Sequence, residues 1–159
     1  MGFLSNLKNN LTGSWADVSL TAAPATRGDA ILFNVHVSVK DEAIDIDKVV
    51  VQVRCTEMVE VKARQTTNRP SEVNGKTATR TSPTTVRETE TLFTQDITVA
   101  HAQQLAANAQ QHFEATVQLP AHLPPTFTGR NARIEWKAMA SVDMKGNDPD
   151  SGWQTFEVR

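Results

Sequence analysis

Tyrosine is absent from this chain of 159 residues, cysteine occurs once, and neither sign of charge dominates. The single Cys55 cannot close an internal disulfide and has no second cysteine with which to hold a metal, so it fits a reducing compartment. With 16 basic side chains against 18 acidic ones the net charge is −2, and nothing draws the chain as a whole to nucleic acid or anionic lipid. No stretch approaches the roughly 20 apolar residues of a membrane span, and none reaches the length of a signal peptide's apolar segment. The opening Met-Gly-Phe-Leu-Ser-Asn has Gly2 but places Asn6 where a myristoylation signal wants Ser or Thr. These absences predict a soluble cytoplasmic protein.

Leucine is scarce for a helical protein, whereas Val and Thr are abundant and are joined by 6 Phe and 3 Trp. β-branched and aromatic side chains suit a pleated, half-buried surface, so the composition predicts an all-β fold. At 17.5 kDa the chain has the size of one domain. A domain of that size buries roughly 70% of its unfolded surface without disulfides or a structural metal.

Residues 2–13 carry the one amphipathic helix pattern, with Phe3, Leu4, Leu7 and Leu11 on one stripe and Gly13 as its stop. From Asp17 the period becomes two. Val18 and Leu20 alternate with polar residues, Arg27-Gly28-Asp29 supplies a turn, and Ile31, Phe33, Val35, Val37 and Val39 form the next inward row. The longest strand follows, with Val49, Val51, Val53, Cys55, Val59, Val61 and Ala63 on one parity; Glu57 interrupts that row and predicts a bulge or bend. Phe93, Ile97 and Val99 resume the pattern after a polar tract. The Ala- and Gln-rich run from Ala100 to Gln111 predicts a short inserted helix. Phe113, Ala115, Val117 and Leu119 form another strand, and the prolines of Pro120–Gly129 demand a crossing loop. Ile134, Trp136, Ala138, Ala140, Val142 and Met144 then line one face, Gly146–Gly152 reads as a turn, and Trp153–Val158 as a final hairpin strand.

Seven or more strands joined by turn residues indicate an antiparallel β-sandwich. The expected organisation is an N-terminal amphipathic helix over residues 1–15 followed by one sandwich domain over 16–159.

The polar tract from Arg64 to Glu90 reads as a long exposed hairpin or a mobile loop, flexible at its tip between about Thr67 and Ser82. Arg64, Arg69, Lys76, Arg80 and Arg87 make it mildly basic against Glu72, Glu88 and Glu90. It contains no aromatic residue on which a base could stack, so nucleic acid is not an expected partner. Two readings stay open, a solvated loop or a docking surface for an acidic or phosphorylated protein. The stripe of Phe3, Leu4, Leu7 and Leu11 has three: packing over the chain's own sandwich, self-association into a homo-oligomer, or lying on a membrane surface. Membrane association is the weakest of these, because Lys8 is the helix's one basic residue.

Catalytic and metal chemistry find little support. His36, His101, His112 and His122 do not fall at a ligand spacing on one element, and no nucleophile turn is recognisable. Cys55 shares the parity of the core valines, which predicts a buried, inert thiol. Asp148 and Asp150 begin a partial calcium-loop spacing, but Arg159 stands where the closing Glu belongs, so a plain turn is expected. No cofactor is implied.

The run Leu119-Pro120, Pro124-Pro125-Thr126-Phe127, Gly129, then Ile134 and Trp136, resembles the N-terminal lobes of the arrestin-like superfamily. In those lobes an apolar strand ends in Leu-Pro, a Pro-Pro-Thr loop with an aromatic residue and Gly follows, and an aliphatic residue then stands two before Tyr or Trp. Upstream, Val18 to Leu20, Arg27-Gly28-Asp29 and Ile46-Asp47-Lys48-Val49-Val50-Val51 look like the bacterial sporulation-control branch of that superfamily. The resemblance implies an immunoglobulin-like sandwich serving as a binding scaffold, with no catalytic residues to carry over. Family members usually pair two lobes, and Arg159 falls where the first should end. A single lobe, or one that pairs with something else, is therefore expected, and the phosphate-sensing charge cluster completed between two lobes is not carried over.

The function expected from the sequence is a non-enzymatic interaction scaffold whose partners are other proteins, engaged through loops, sheet edges or a sheet face, with a homo-oligomer through the helix or an edge also open. Two rivals are a self-assembling structural subunit and a carbohydrate-binding or adhesive sandwich. The lack of Tyr counts against the last, because sugar faces stack on exposed aromatics.

Overall fold

The computed structural model describes residues 15–70, 77–146 and 148–159, with side chains described throughout except at 68–70, 77 and 78. Eight strands run in the order β1 (Ala16–Ala22), β2 (Ala30–Val39), β3 (Ile44–Pro70), β4 (Thr77–Leu105), β5 (Gln110–Gln118), β6 (Phe127–Thr128), β7 (Ala132–Met144) and β8 (Gln154–Phe156). They form a three-stranded sheet, β1-β2-β5, and a larger sheet ordered β4-β3-β7-β6, in which β8 also pairs with β7. Every strand pairing is antiparallel, and an isolated parallel bridge from Ala25 to Val158 ties the two layers at one corner.

Period-two patterning explains the layers. Ile31, Phe33, Val35, Val37 and Val39 of β2 are buried against Val49, Val51, Val53 and Cys55 of β3 and Trp136, Ala138, Ala140 and Val142 of β7, within one core. Full burial of each valine stabilises by roughly 1.5–3 kcal/mol, so a one-residue slip in any of these strands is prohibitive. Trp136 lies at the aromatic centre, 5.9 Å from the Phe93 ring and 6.1 Å from Phe156, while Phe156 meets Phe33 edge-on at 5.3 Å. The proline loop is bound to this centre. Trp136 Nε1 donates to the Pro124 carbonyl, Thr126 N donates to the Val158 carbonyl, and Val158 N donates to Thr126 Oγ1.

The described residues contain no helix, which corrects the sequence expectation. Ala100–Leu105 is the end of β4, with Leu105 paired to Ile44 and His101 to Lys48. Both Ala100 and Leu105 are buried, so tertiary pairing overrides the helix propensity of Ala and Gln. The reversal that follows is a tight turn in which Asn108 holds a φ of 59°, a left-handed conformation that asparagine tolerates better than most residues. The helix expected over residues 2–13 lies outside the described residues.

Three further details differ from expectation. Arg64–Pro70 belongs to the end of β3, and from Thr77 onward the tract and the strand at Phe93–Val99 are one continuous β4, not two elements. The expected flexible tip is paired strand up to Pro70 and again from Thr77. The irregularity near Glu57 is real, but the unpaired residue is Leu92 on the partner strand, since Cys55 faces Phe93 and Thr56 faces Thr91. A similar skip leaves Val99 unpaired between Thr98 and Ala100.

Candidate interaction surface

β3 and β4 are far longer than the strands around them. β7 accompanies β3 only from Ile46 to Val59, where Ala132 is the last partner. Beyond that point β3 and β4 continue together from Glu60↔Arg87 to Pro70↔Thr77 as a two-stranded arm. At 3.3–3.4 Å per residue it projects roughly 35 Å. A lone two-stranded ribbon is marginal in water, so the arm draws its order from continuity with the sandwich or from whatever covers it.

The arm has two unlike faces. One continues the inward row of the sandwich, but the smaller sheet does not reach it, so Val59, Val61 and Val86 are exposed at 38%, 51% and 51% although they share the parity of the core. Val61 and Val86 sit directly opposite each other. Phe127 is 50% exposed, and the register Phe127↔Ile134↔Glu57↔Glu90 puts it on the same inward face at the root of the arm. Four of the six large exposed hydrophobics among the described residues therefore share one face. Glu57 stands opposite Glu90 where the arm leaves the sandwich, a like-charge pair that weakens the ribbon at its root.

The other face is polar. Arg87 donates two hydrogen bonds to Glu60 Oε2, at 3.1 and 2.6 Å, and these hold the Glu60 carboxyl below the ordinary glutamate range, the hydrogen bond being the larger cause and the charge the second. Lys62, Arg64 and Thr66 follow on the same row, all exposed.

The five basic residues singled out from the sequence are thus not one patch. Arg64 and Arg87 lie on the polar row, and Arg87 is engaged by Glu60. Arg80, opposite Thr67, belongs to the inward row. Arg69 pairs through its backbone with Ala78, its side chain being outside the described residues, as is the whole of Lys76. Phe3, Leu4, Leu7 and Leu11 also lie outside the described residues.

On the outer face of the larger sheet, Arg54 and Lys137 are direct cross-strand partners, and both lie over the Trp153 ring, at 4.7 and 5.3 Å from its centroid. The indole is covered by both cations, whose attraction to its π face offsets part of their mutual repulsion. Cys55 is fully buried; burial first, and the Glu57 carboxylate second, push its thiol up to about 11. Asp148 Oδ1 accepts from Met144 N and Asp150 Oδ1 from Gly152 N, so both carboxylates serve the turn. No group of three or more metal-binding side chains occurs among the described residues. No described helix is long and apolar enough to cross a membrane.

No protein-family model and no curated protein matches the chain. Among solved structures, Spo0M, the sporulation control protein of Bacillus subtilis, is similar at a TM-score of 0.59 and 18% identity, over 91% of this chain and 49% of that one. That likeness is one of fold, and this chain spans about half the length of its neighbour. The alkylpurine DNA glycosylase AlkC of Pseudomonas fluorescens follows at a TM-score of 0.39 and 16% identity, over 91% of this chain and 30% of that one, too weak a likeness to carry an argument.

Sequence reasoning located the arm but missed its apolar side. Val59 and Val61 carry the core parity, and parity alone does not say whether a second layer lies above. The available signal lay in the same row: Glu57 on β3, with Glu90 opposite it and Glu88 opposite Val59, is poor company for buried valines. His36 and His112, far apart in sequence, are cross-strand partners in the smaller sheet, which spacing on a single element could not reveal.

Proposed function

We propose that this chain is a non-enzymatic protein-interaction domain of arrestin-like type, cytoplasmic, with the β3–β4 arm as its binding element, in a regulatory setting akin to the sporulation control named for its structural neighbour. The observation that carries this reading is the inward face of the arm, where Val59, Val61, Val86 and Phe127 remain exposed beyond the reach of the smaller sheet. Exposed apolar side chains gathered on one face, rather than scattered singly, support an interaction site. The elevated Cys55 thiol gives no nucleophile at neutral pH, which supports a non-catalytic role. Against a sugar-binding role stands Trp153, whose ring is already taken by Arg54 and Lys137.

The test is comparative capture from cells that express the protein. The double variant Val61→Ser/Val86→Ser should lose partners that the unaltered protein retains, while Leu32→Ser, which removes an exposed side chain from the smaller sheet, should retain them. An identical set of captured proteins from all three would overturn the assignment.

A further inference from the structure

Where β7 stops, it leaves a lane beside β3. Glu60 N still donates to the Asn131 carbonyl at 2.8 Å, the last bond on that side among the described residues. In an antiparallel strand the backbone groups of alternate residues point the same way, so the N–H and C=O groups of Lys62, Arg64 and Thr66 point into the lane beyond. An unpaired strand edge is a template for another chain, and proteins usually protect such edges with proline, bulges or charges.

The two edges of the arm differ in this respect. The β4 edge carries such devices. Pro83 lies opposite Arg64, a position whose N–H would point outward, and the bulges at Leu92 and Val99 break the edge further along. Glu88 and Glu90 add carboxylates to it. The β3 edge from Glu60 to Thr66 has no proline and no register shift. Among the described residues the β4 edge is closed by proline and bulges, whereas the β3 edge carries only the charges of Lys62 and Arg64, which an oppositely charged strand can satisfy.

Charge and polarity around the open lane specify its guest. Lys62 and Arg64 flank it on the polar face and Val61 and Ala63 on the inward face. At its root, Met58, Glu60, Arg87, Arg130 and Arg133 line a concavity of about 200 Å³. Glu60 is engaged there by Arg87, which leaves Arg130 and Arg133 to set the charge of the rim.

We propose that this lane accepts an extended segment of a partner protein by strand addition, with apolar side chains on the inward face alternating with acidic ones on the polar face. The proposal rests on the interaction-domain reading and names the chemistry of its partner. Main-chain pairing to Lys62, Arg64 and Thr66 supplies affinity, and the alternation of side chains supplies specificity.

The probe is a soluble synthetic peptide of about nine residues alternating Val and Glu, long enough to span the lane. Its control replaces Glu with Lys. Binding is followed by fluorescence anisotropy, and amide protection by hydrogen exchange. The Val/Glu peptide should bind and slow exchange at Lys62, Arg64 and Thr66, and the Val/Lys peptide should bind at least about tenfold more weakly. Lys62→Pro, which places on this edge the device that Pro83 places on the other, should abolish binding. The paired variant Lys62→Glu/Arg64→Glu, which keeps every backbone donor, should reverse the preference between the two peptides. Failure of the Val/Glu peptide to bind, equal binding of both peptides, protection along β4 instead, or protection of the same amides by the protein's own concentration would each overturn the proposal. Capture that depends on Val61 and Val86 would leave the broader interaction reading standing in every one of those cases.

Discussion

Trp136 Nε1 lies 3.0 Å from the carbonyl oxygen of Pro124, so a fully buried indole on β7 is fixed to the proline loop that crosses the end of the sandwich. The bond satisfies the one polar atom that burying the ring would otherwise strand. Trp136→Phe keeps most of the apolar volume but orphans the carbonyl, and should cost about 1–3 kcal/mol in chemical denaturation. Trp136→Ala also empties the aromatic centre shared with Phe93 and Phe156, and should cost about 3–5 kcal/mol.

Cys55 predicts a pH dependence of definite sign. Its thiol is raised in the folded protein from 9.0 to about 11, so folding favours the neutral form. The stability this contributes is fully present below the unfolded value and is lost as pH rises from about 9 through 11. Denaturation midpoints measured across that window should fall more steeply for the unaltered protein than for Cys55→Ala. At neutral pH a thiol reagent should modify Cys55 only as fast as the protein opens.

Glu60 behaves in the opposite sense. Its carboxyl lies below the ordinary glutamate value because of Arg87, so the pair's contribution is present above that value and is lost as pH falls through the depressed one. Titration by NMR should show the Glu60 carboxyl ionising below the ordinary glutamate range. Arg87→Ala should move it back toward the ordinary range.

Asn108 should tolerate glycine and resist branching. With φ at 59°, Asn108→Gly is expected to leave the thermal midpoint nearly unchanged, whereas Asn108→Val forces a β-branched residue into the left-handed region and should cost about 1–2 kcal/mol.

Exposure on the arm separates stability from binding. Val61→Thr and Val86→Thr remove side chains already half in water, and each should alter stability by no more than about 0.5 kcal/mol. Val51→Ala and Val142→Ala, at fully buried positions of the same sheet, should each cost over about 1 kcal/mol in the same assay.

Strand periodicity made most of the fold legible, because each inward row from Val18 to Met144 repeats at two residues and a buried row cannot shift without exposing itself. The Ala100–Gln111 segment was misread because helix propensity is a weak local preference, and pairing with Ile44–Lys48 outweighs it. The Arg-rich tract was recognisable as an outlying hairpin, but its division into two rows depends on the register between β3 and β4. That register is displaced by the skip at Leu92, which composition does not reveal. The open lane was invisible for a simpler reason: it exists because β7 begins at Ala132, and the partner of that residue on β3 is a matter of pairing across more than seventy positions of chain.

A ribbon made of stacked cross-strand pairs has an adjustable length. Removing one residue from each strand of the arm below Val61 and Val86 would exchange its two rows beyond the cut and turn these valines to the face that Lys62 now occupies; removing two from each would restore them. Insertions and deletions in descendants of this gene are therefore expected to come in matched pairs, altering reach in steps of roughly 7 Å while the sandwich beneath stays as it is.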